Sequence, residues 1–190
     1  LSCIRDDPPH RHKRRGILEA GPGHSTYLDY DVSNADRACQ WLGTHRDEQK
    51  PWALFVGFVL PHPPYLAPQE DFSVYPPETI NLLPQTAPSE WPDHPTIDYI
   101  RRFFDYDDPF DEANIRRLNS AYYGMVTFLD RQIGKVLRAL ENLGLADNTR
   151  IIYSSDHGEH LGSRGLFGKF TMYEESAAVP LVMAGPDVPK

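Results

Sequence analysis

Ser155-Asp156-His157-Gly158-Glu159 sets a carboxylate beside an imidazole, directly ahead of a glycine. Such a pair suits a divalent cation that takes oxygen and nitrogen ligands, although one adjacent pair supplies only part of a coordination sphere. Asp156 and His157 are therefore the candidate metal ligands. Further along, Lys169 offers a compact ammonium with three donors. Upstream, His62 sits in Pro61-His62-Pro63-Pro64-Tyr65, where prolines hold the chain extended and an imidazole of near-neutral pKa can donate or accept a proton. Each residue alone has a plainer reading: a turn-capping aspartate, a solvated lysine, an incidental histidine in a proline-rich loop. Their placement relative to the secondary structure favours chemistry.

The run Thr149-Arg150-Ile151-Ile152-Tyr153-Ser154 is short, β-branched and aromatic and follows the turn signal Ala146-Asp147-Asn148, which predicts a buried strand delivering Asp156 and His157 at its carboxyl end. In an open α/β sheet that end faces the ligand crevice, and a glycine there permits close backbone approach. Trp52 to Leu60 is a continuous apolar run that predicts a second, wholly buried strand, ending at the His62 loop. Between the two, Ile115, Leu118, Tyr122, Met125, Leu129, Ile133, Val136, Leu140 and Leu143 recur at three- and four-residue steps. They predict one amphipathic helix over residues 112–143, with acidic residues at its start and Gly144 past its end. A further helix is expected over residues 30–46, beginning near Ser33 or Asn34. Strand, helix, strand in this order suggests a crossover unit of a mainly parallel sheet. Residues 61–110 form a proline-rich excursion, with ten prolines from Pro61 to Pro95, placed to border the substrate.

Together, Asp156-His157-Gly158-Glu159, Leu161-Gly162, Gly165-Leu166-Phe167 with Lys169, Tyr173-Glu174-Glu175 and Val179-Pro180-Leu181 resemble the carboxyl-side signature of the sulfatase family, within the alkaline phosphatase superfamily. Pro61-His62-Pro63-Pro64-Tyr65 and Asp130-Arg131-Gln132-Ile133-Gly134 resemble two further segments of it, and the likeness is strongest over residues 50–65 and 112–185. The resemblance implies an α/β, alkaline-phosphatase-like fold: a mixed, mainly parallel sheet flanked by helices, with residues 1–190 forming part of a catalytic domain. It implies Asp156 and His157 as metal ligands, and His62 and Lys169 as catalytic and substrate-binding residues. Gly162-Ser163-Arg164-Gly165 is similar to choline-sulfatase-like members, which makes Arg164 a substrate contact or a structural ion pair. Calcium is the metal first implied, with manganese or another ion left open by histidine rather than asparagine at 157. The family nucleophile, a formylglycine made from a Cys/Ser-x-Pro-x-Arg motif, has no match here, because neither Cys3 nor Cys39 lies in that pattern. Asp6-Asp7 lacks the expected context for the missing metal ligands. The expectation is an internal piece of a longer metal-dependent sulfuric ester hydrolase, inactive alone. A phosphonate monoester or phosphodiester hydrolase of the same superfamily is the alternative, and a non-catalytic metal-binding or structural remnant is the third reading. Ser176-Ala177-Ala178 also departs from the Arg or His many members carry before Val-Pro-Leu.

The formal charge of −8 argues against nucleic acid as a partner, despite the short basic run Arg11 to Arg15, and the resemblance implies a small-molecule sulfate ester instead. No apolar stretch is long enough to span a membrane. Two cysteines without zinc-ligand spacing do not make a disulfide scaffold. The compartment stays open, with cytoplasm as the default, and so does the oligomeric state.

Overall fold

A computed structural model describes residues 14–48 and 50–189. Cys3 and Asp6-Asp7 lie outside the described residues, as does most of the basic run.

The organising element is the long helix α5 (Glu112–Asn142), which follows α1 (Arg14–Leu18), β1 (Gly21–Pro22), α2 (Thr26–Thr44), β2 (Leu66–Ala67), α3 (Gln69–Phe72) and α4 (Pro95–Phe104). After it come β3 (Ile151–Ser154), α6 (Glu174–Ala177) and β4 (Leu181–Ala184). The start of α5 is held by Asp111, whose side chain accepts from the Asn114 amide at 2.7 Å. Gly144, at φ +70°, reverses the chain, and the Leu145 amide donates back to the Leu140 carbonyl at 3.0 Å. The predicted stripe is the core face. Ile115, Leu118, Met125, Leu129 and Leu140 are buried, and Tyr122 and Ile133 are partly buried against the same cluster. Leu28, Leu60, Tyr65, Phe104 and Phe167 complete that cluster, so α5 draws in residues from every part of the chain that carries a candidate site residue. At Gly124 the helix lies close to the β2–α3 corner: a Cβ there would sit 2.9 Å from that of Ala67. Buried Asp71 of α3 pairs with Arg131 of α5 across this contact.

Three expectations about elements are corrected. Helix α2 begins at Thr26 rather than near residue 33, because Ser25 takes the extended N-cap conformation and Leu28 already lies on the buried face. Trp52 to Leu60 forms no strand, and it is not wholly buried: Phe55 is 93% exposed, Leu60 is the buried residue of the run and Phe58 packs partly buried against the core. A strand needs a hydrogen-bonded neighbour as well as an apolar sequence, and no described residue supplies one. Its end is fastened to α2. The fully buried Asp31 carboxylate accepts the Val59 and Leu60 amides at 2.8 and 3.0 Å, and the Asn34 amide donates to the Gly57 carbonyl at 2.8 Å. The third correction concerns β3, which starts at Ile151 and is mostly exposed, with Ile152 62% exposed.

Strand β3 pairs antiparallel with β4, Ile151 opposite Ala184 and Ser154 opposite Leu181. Strands β1 and β2 form a short parallel pair. Among the described residues the sheet is thus represented by two two-stranded pieces, one of each sense. Cys39 is a free thiol, and no helix is long and apolar enough to cross a membrane.

Candidate active site

The loop from Ser155 to Tyr173 carries four of the five predicted site residues. It leaves β3 and immediately presents Asp156, whose side chain is 84% exposed, with the His157 Nε2 3.4 Å from its Oδ2. His157 Nδ1 lies 2.9 Å from the Gly158 carbonyl, which only accepts. In the neutral imidazole Nδ1 therefore carries the hydrogen and Nε2 turns a lone pair toward the Asp156 carboxylate. A proton on Nε2 or a cation shared with the carboxylate would satisfy this contact. A ring nitrogen donating to a backbone carbonyl while the other faces outward is also how ligating histidines are oriented. The pair fits a divalent ion as two of its ligands. Among the described residues no group of three or more His, Cys, Asp or Glu side chains completes a sphere.

The same loop folds on itself around Glu159, a residue of the motif to which sequence reasoning gave no role. Its half-buried carboxylate accepts the Gly168 amide at 2.5 Å and the Leu161 amide at 3.3 Å. The Tyr65 hydroxyl, on a residue 3% exposed, interacts with the same carboxylate. Burial pushes the Glu159 carboxyl up, opposed by these donors. Burial likewise raises the Tyr65 phenol far above its ordinary value, with Glu159 adding to the effect, so this tyrosine stays a donor. Tyr65 is three residues from His62. The Tyr65–Glu159 interaction, with the packing of Tyr65, Leu161 and Phe167 in one cluster, links the proline loop to the Asp156–His157 loop. His62 itself is exposed, with Nδ1 2.7 Å from the Pro63 carbonyl and its ring edge-on to Tyr27 at 5.7 Å. No hydrogen bond or ion pair joins His62, Lys169 and the Asp156–His157 pair to one another among the described residues.

Arg164 sits at φ +56° in the tight turn Ser163–Gly165. Its guanidinium pairs with Glu175, donates to the Ser163 hydroxyl at 3.1 Å and lies over the Tyr173 ring at 4.3 Å. The proline-rich excursion holds the turn from the other side. Arg101 of α4, 4% exposed, donates to the Arg164 carbonyl at 2.9 Å, and Gln85 accepts the Arg164 amide at 2.8 Å. The Trp91 ring lies where a Cβ on Gly165 would be, at 2.3 Å. Lys169 is half-buried, and no hydrogen bond or ion pair to it is formed by the described residues.

His160 also escaped sequence reasoning, since a histidine after Glu159 carries no motif of its own. It is 1% exposed, with Nε2 2.7 Å from the Thr171 hydroxyl. Burial lowers its pKa to about 4, with Glu175 opposing and Arg164 assisting. The sign of the consequence follows from linkage. The unfolded imidazole takes its proton near 6.5, the native one only near 4, so the unfolded state binds more protons between these values and stability falls as pH drops through that window. Glu159, shifted upward, acts in the opposite sense. Urea unfolding near pH 7 and near pH 4.5 is expected to show His160→Phe losing less stability on acidification than the parent, by on the order of 2 kcal/mol. Equal losses in the two proteins would refute this.

A carboxylate–imidazole pair at a strand end, an unpaired lysine on the same loop and an exposed histidine on the proline loop are the candidate residues that the fold presents. Comparison with known proteins is more specific. The Sulfatase family profile matches residues 5–190. A choline-sulfatase of Rhizobium meliloti is 36% identical over 187 residues, covering 93% of this chain and 36% of the relative. Arylsulfatase K of Rattus norvegicus is 34% identical over 194 residues, covering 94% of this chain and 34% of its own. The crystal structure of a phosphonate monoester hydrolase of Agrobacterium radiobacter superposes with a TM-score of 0.72 at 25% identity, over 95% of this chain and 36% of that one. The chain belongs to the sulfatase family. Its fold is the alkaline-phosphatase-like α/β fold, of which these residues form a part, and it spans about a third of the length of the curated relatives it matches.

Proposed function

We propose that the native protein hydrolyses sulfate esters of small molecules with the help of a divalent metal ion. The observation that carries this reading is the Asp156–His157 pair, oriented through the Gly158 carbonyl, on the same loop as the unpaired Lys169 in a chain of the sulfatase family. Asp156 and His157 would hold the ion, calcium first and manganese as the alternative, and the bound ion would neutralise oxygens of the ester. Lys169 would contact the sulfate group and offset charge on the leaving oxygen, while exposed His62 would donate a proton or hydrogen bond to the departing alcohol. Arg164 would reach substrate through guanidinium donors that Glu175 and Ser163 leave unused. The nucleophile is not among these residues, and the resemblance assigns it to a formylglycine elsewhere in the native polypeptide.

A second reading, hydrolysis of phosphonate monoesters or phosphodiesters, is favoured by the likeness to the Agrobacterium enzyme and by histidine rather than asparagine at 157. The deciding experiment uses the native protein, freed of metal with a chelator and then reloaded with calcium or manganese. It is assayed against aryl sulfate, choline-type sulfate and aryl phosphonate monoester. Faster turnover of a sulfate, lost on chelation and restored by metal, supports the first reading. Preference for the phosphonate establishes the second. Metal binding without turnover of any of the three leaves a binding or structural role.

A further inference from the structure

Lys169 has no side-chain partner among the described residues to fix it, so its position depends on how its backbone is held. We propose that His160 is a positioning residue for Lys169, clamping the chain on both sides of the lysine. Before the lysine, the His160 amide donates to the Gly168 carbonyl at 3.1 Å, and the neighbouring Glu159 carboxylate accepts the Gly168 amide at 2.5 Å. After it, the His160 imidazole Nε2 meets the Thr171 hydroxyl at 2.7 Å, and that same oxygen accepts the Tyr173 amide at 3.3 Å. Because the Thr171 oxygen already accepts from Tyr173, its single hydrogen is free to be given to Nε2. The short stretch from Gly168 to Thr171 is thus strung between two consecutive residues of the metal-ligand loop, and Lys169 rides on it. Phe170, stacked on Phe104 at 4.3 Å, anchors the same stretch to the core. A lysine side chain has four rotatable bonds, and fixing its base is what confines the ammonium to a small volume.

The cost of the arrangement argues that the imidazole is more than filler. His160 Nδ1 is buried and has no hydrogen-bond partner. A buried polar atom left unpaired is unfavourable, and an apolar ring of similar size would avoid that penalty, yet only a side chain with a polar atom at the Nε2 position can hold Thr171.

The inference rests on the proposed role of Lys169 at the ester, and the test separates the two. In the native protein, Lys169→Ala, His160→Phe, His160→Gln and the double variant Lys169→Ala/His160→Phe are compared for kcat and KM on the preferred ester, with thermal midpoints measured for each. The expected result is a kcat lowered about ten- to hundredfold by His160→Phe, with a smaller change in KM. His160→Gln, whose amide reaches the Nε2 position, recovers most of it. In the Lys169→Ala background His160→Phe costs less than about twofold more, because residues acting through one group are not additive. Thr171→Val, which removes the hydroxyl at constant volume, repeats the loss and serves if His160→Phe does not fold. A cost of His160→Phe that is the same with and without Lys169, or absent while Lys169→Ala is slow, overturns the clamp alone. An unchanged rate in Lys169→Ala overturns the role of the lysine at the ester, and the clamp with it.

Discussion

Asp156→Ala in the native protein is expected to lose the bound divalent ion and to slow ester hydrolysis by about a thousandfold or more. The carboxylate has few structural duties. Its side chain is 84% exposed, and its contacts are the Ser155 hydroxyl at 3.4 Å and the His157 ring at 3.4 Å. Removing an exposed carboxylate with so little attached to it should leave the fold intact, and this makes the variant informative. A thermal midpoint close to that of the parent, together with loss of metal by elemental analysis after dialysis and loss of turnover, is the expected combination. Full metal occupancy in a folded Asp156→Ala protein would remove this residue from the metal site and with it the central support for the hydrolase reading.

Gly158→Ala is expected to produce the largest loss of stability of any single methyl addition in the loop, about 3–5 kcal/mol, seen as a lowered urea midpoint or as failure to fold. A Cβ at 158 would lie 2.2 Å from the Glu175 carbonyl oxygen and 3.0 Å from that of Ala178. Both obstacles are backbone atoms, so no rotamer change relieves the overlap. Moving them would break the bond from the Gly158 amide to the Ser176 carbonyl at 2.8 Å, which docks α6 against the Asp156–His157 loop. The glycine is required for contact rather than for dihedral freedom, since it does not sit at positive φ. Gly16→Ala, with nothing within 4 Å of the added carbon in α1, is the control and is expected to be neutral or slightly stabilising. Equal midpoints for the two variants would show that the Gly158 contact relaxes at little cost.

Much of the site was legible because its residues are close in sequence. Asp156, His157, Arg164 and Lys169 occupy one loop, so their types and spacing carried the resemblance without any tertiary contact. Helix α5 was legible for a similar reason: a 3.6-residue period over nine turns is a local signal, and Asp111 and Gly144 mark its ends. The apolar run at 52–60 was less informative. Strand formation depends on a partner that lies elsewhere in the chain, and hydrophobicity records only a tendency to be covered. The early start of α2 was missed because Ser25 is one of several polar residues there, and only its extended backbone singles it out as the cap.

By itself the sequence determined the family, the candidate metal pair and the lysine, because these are matters of residue type and short-range order. The tertiary structure alone decided what holds them. It showed Asp31 fastening the end of the His62 approach, Tyr65 joining that loop to Glu159, Arg101 and Trp91 bracing the Arg164 turn, and His160 gripping both sides of Lys169. The physical reason is that a buried polar group must find its partner in space, and the sequence separation of that partner, short or long, leaves no periodic trace.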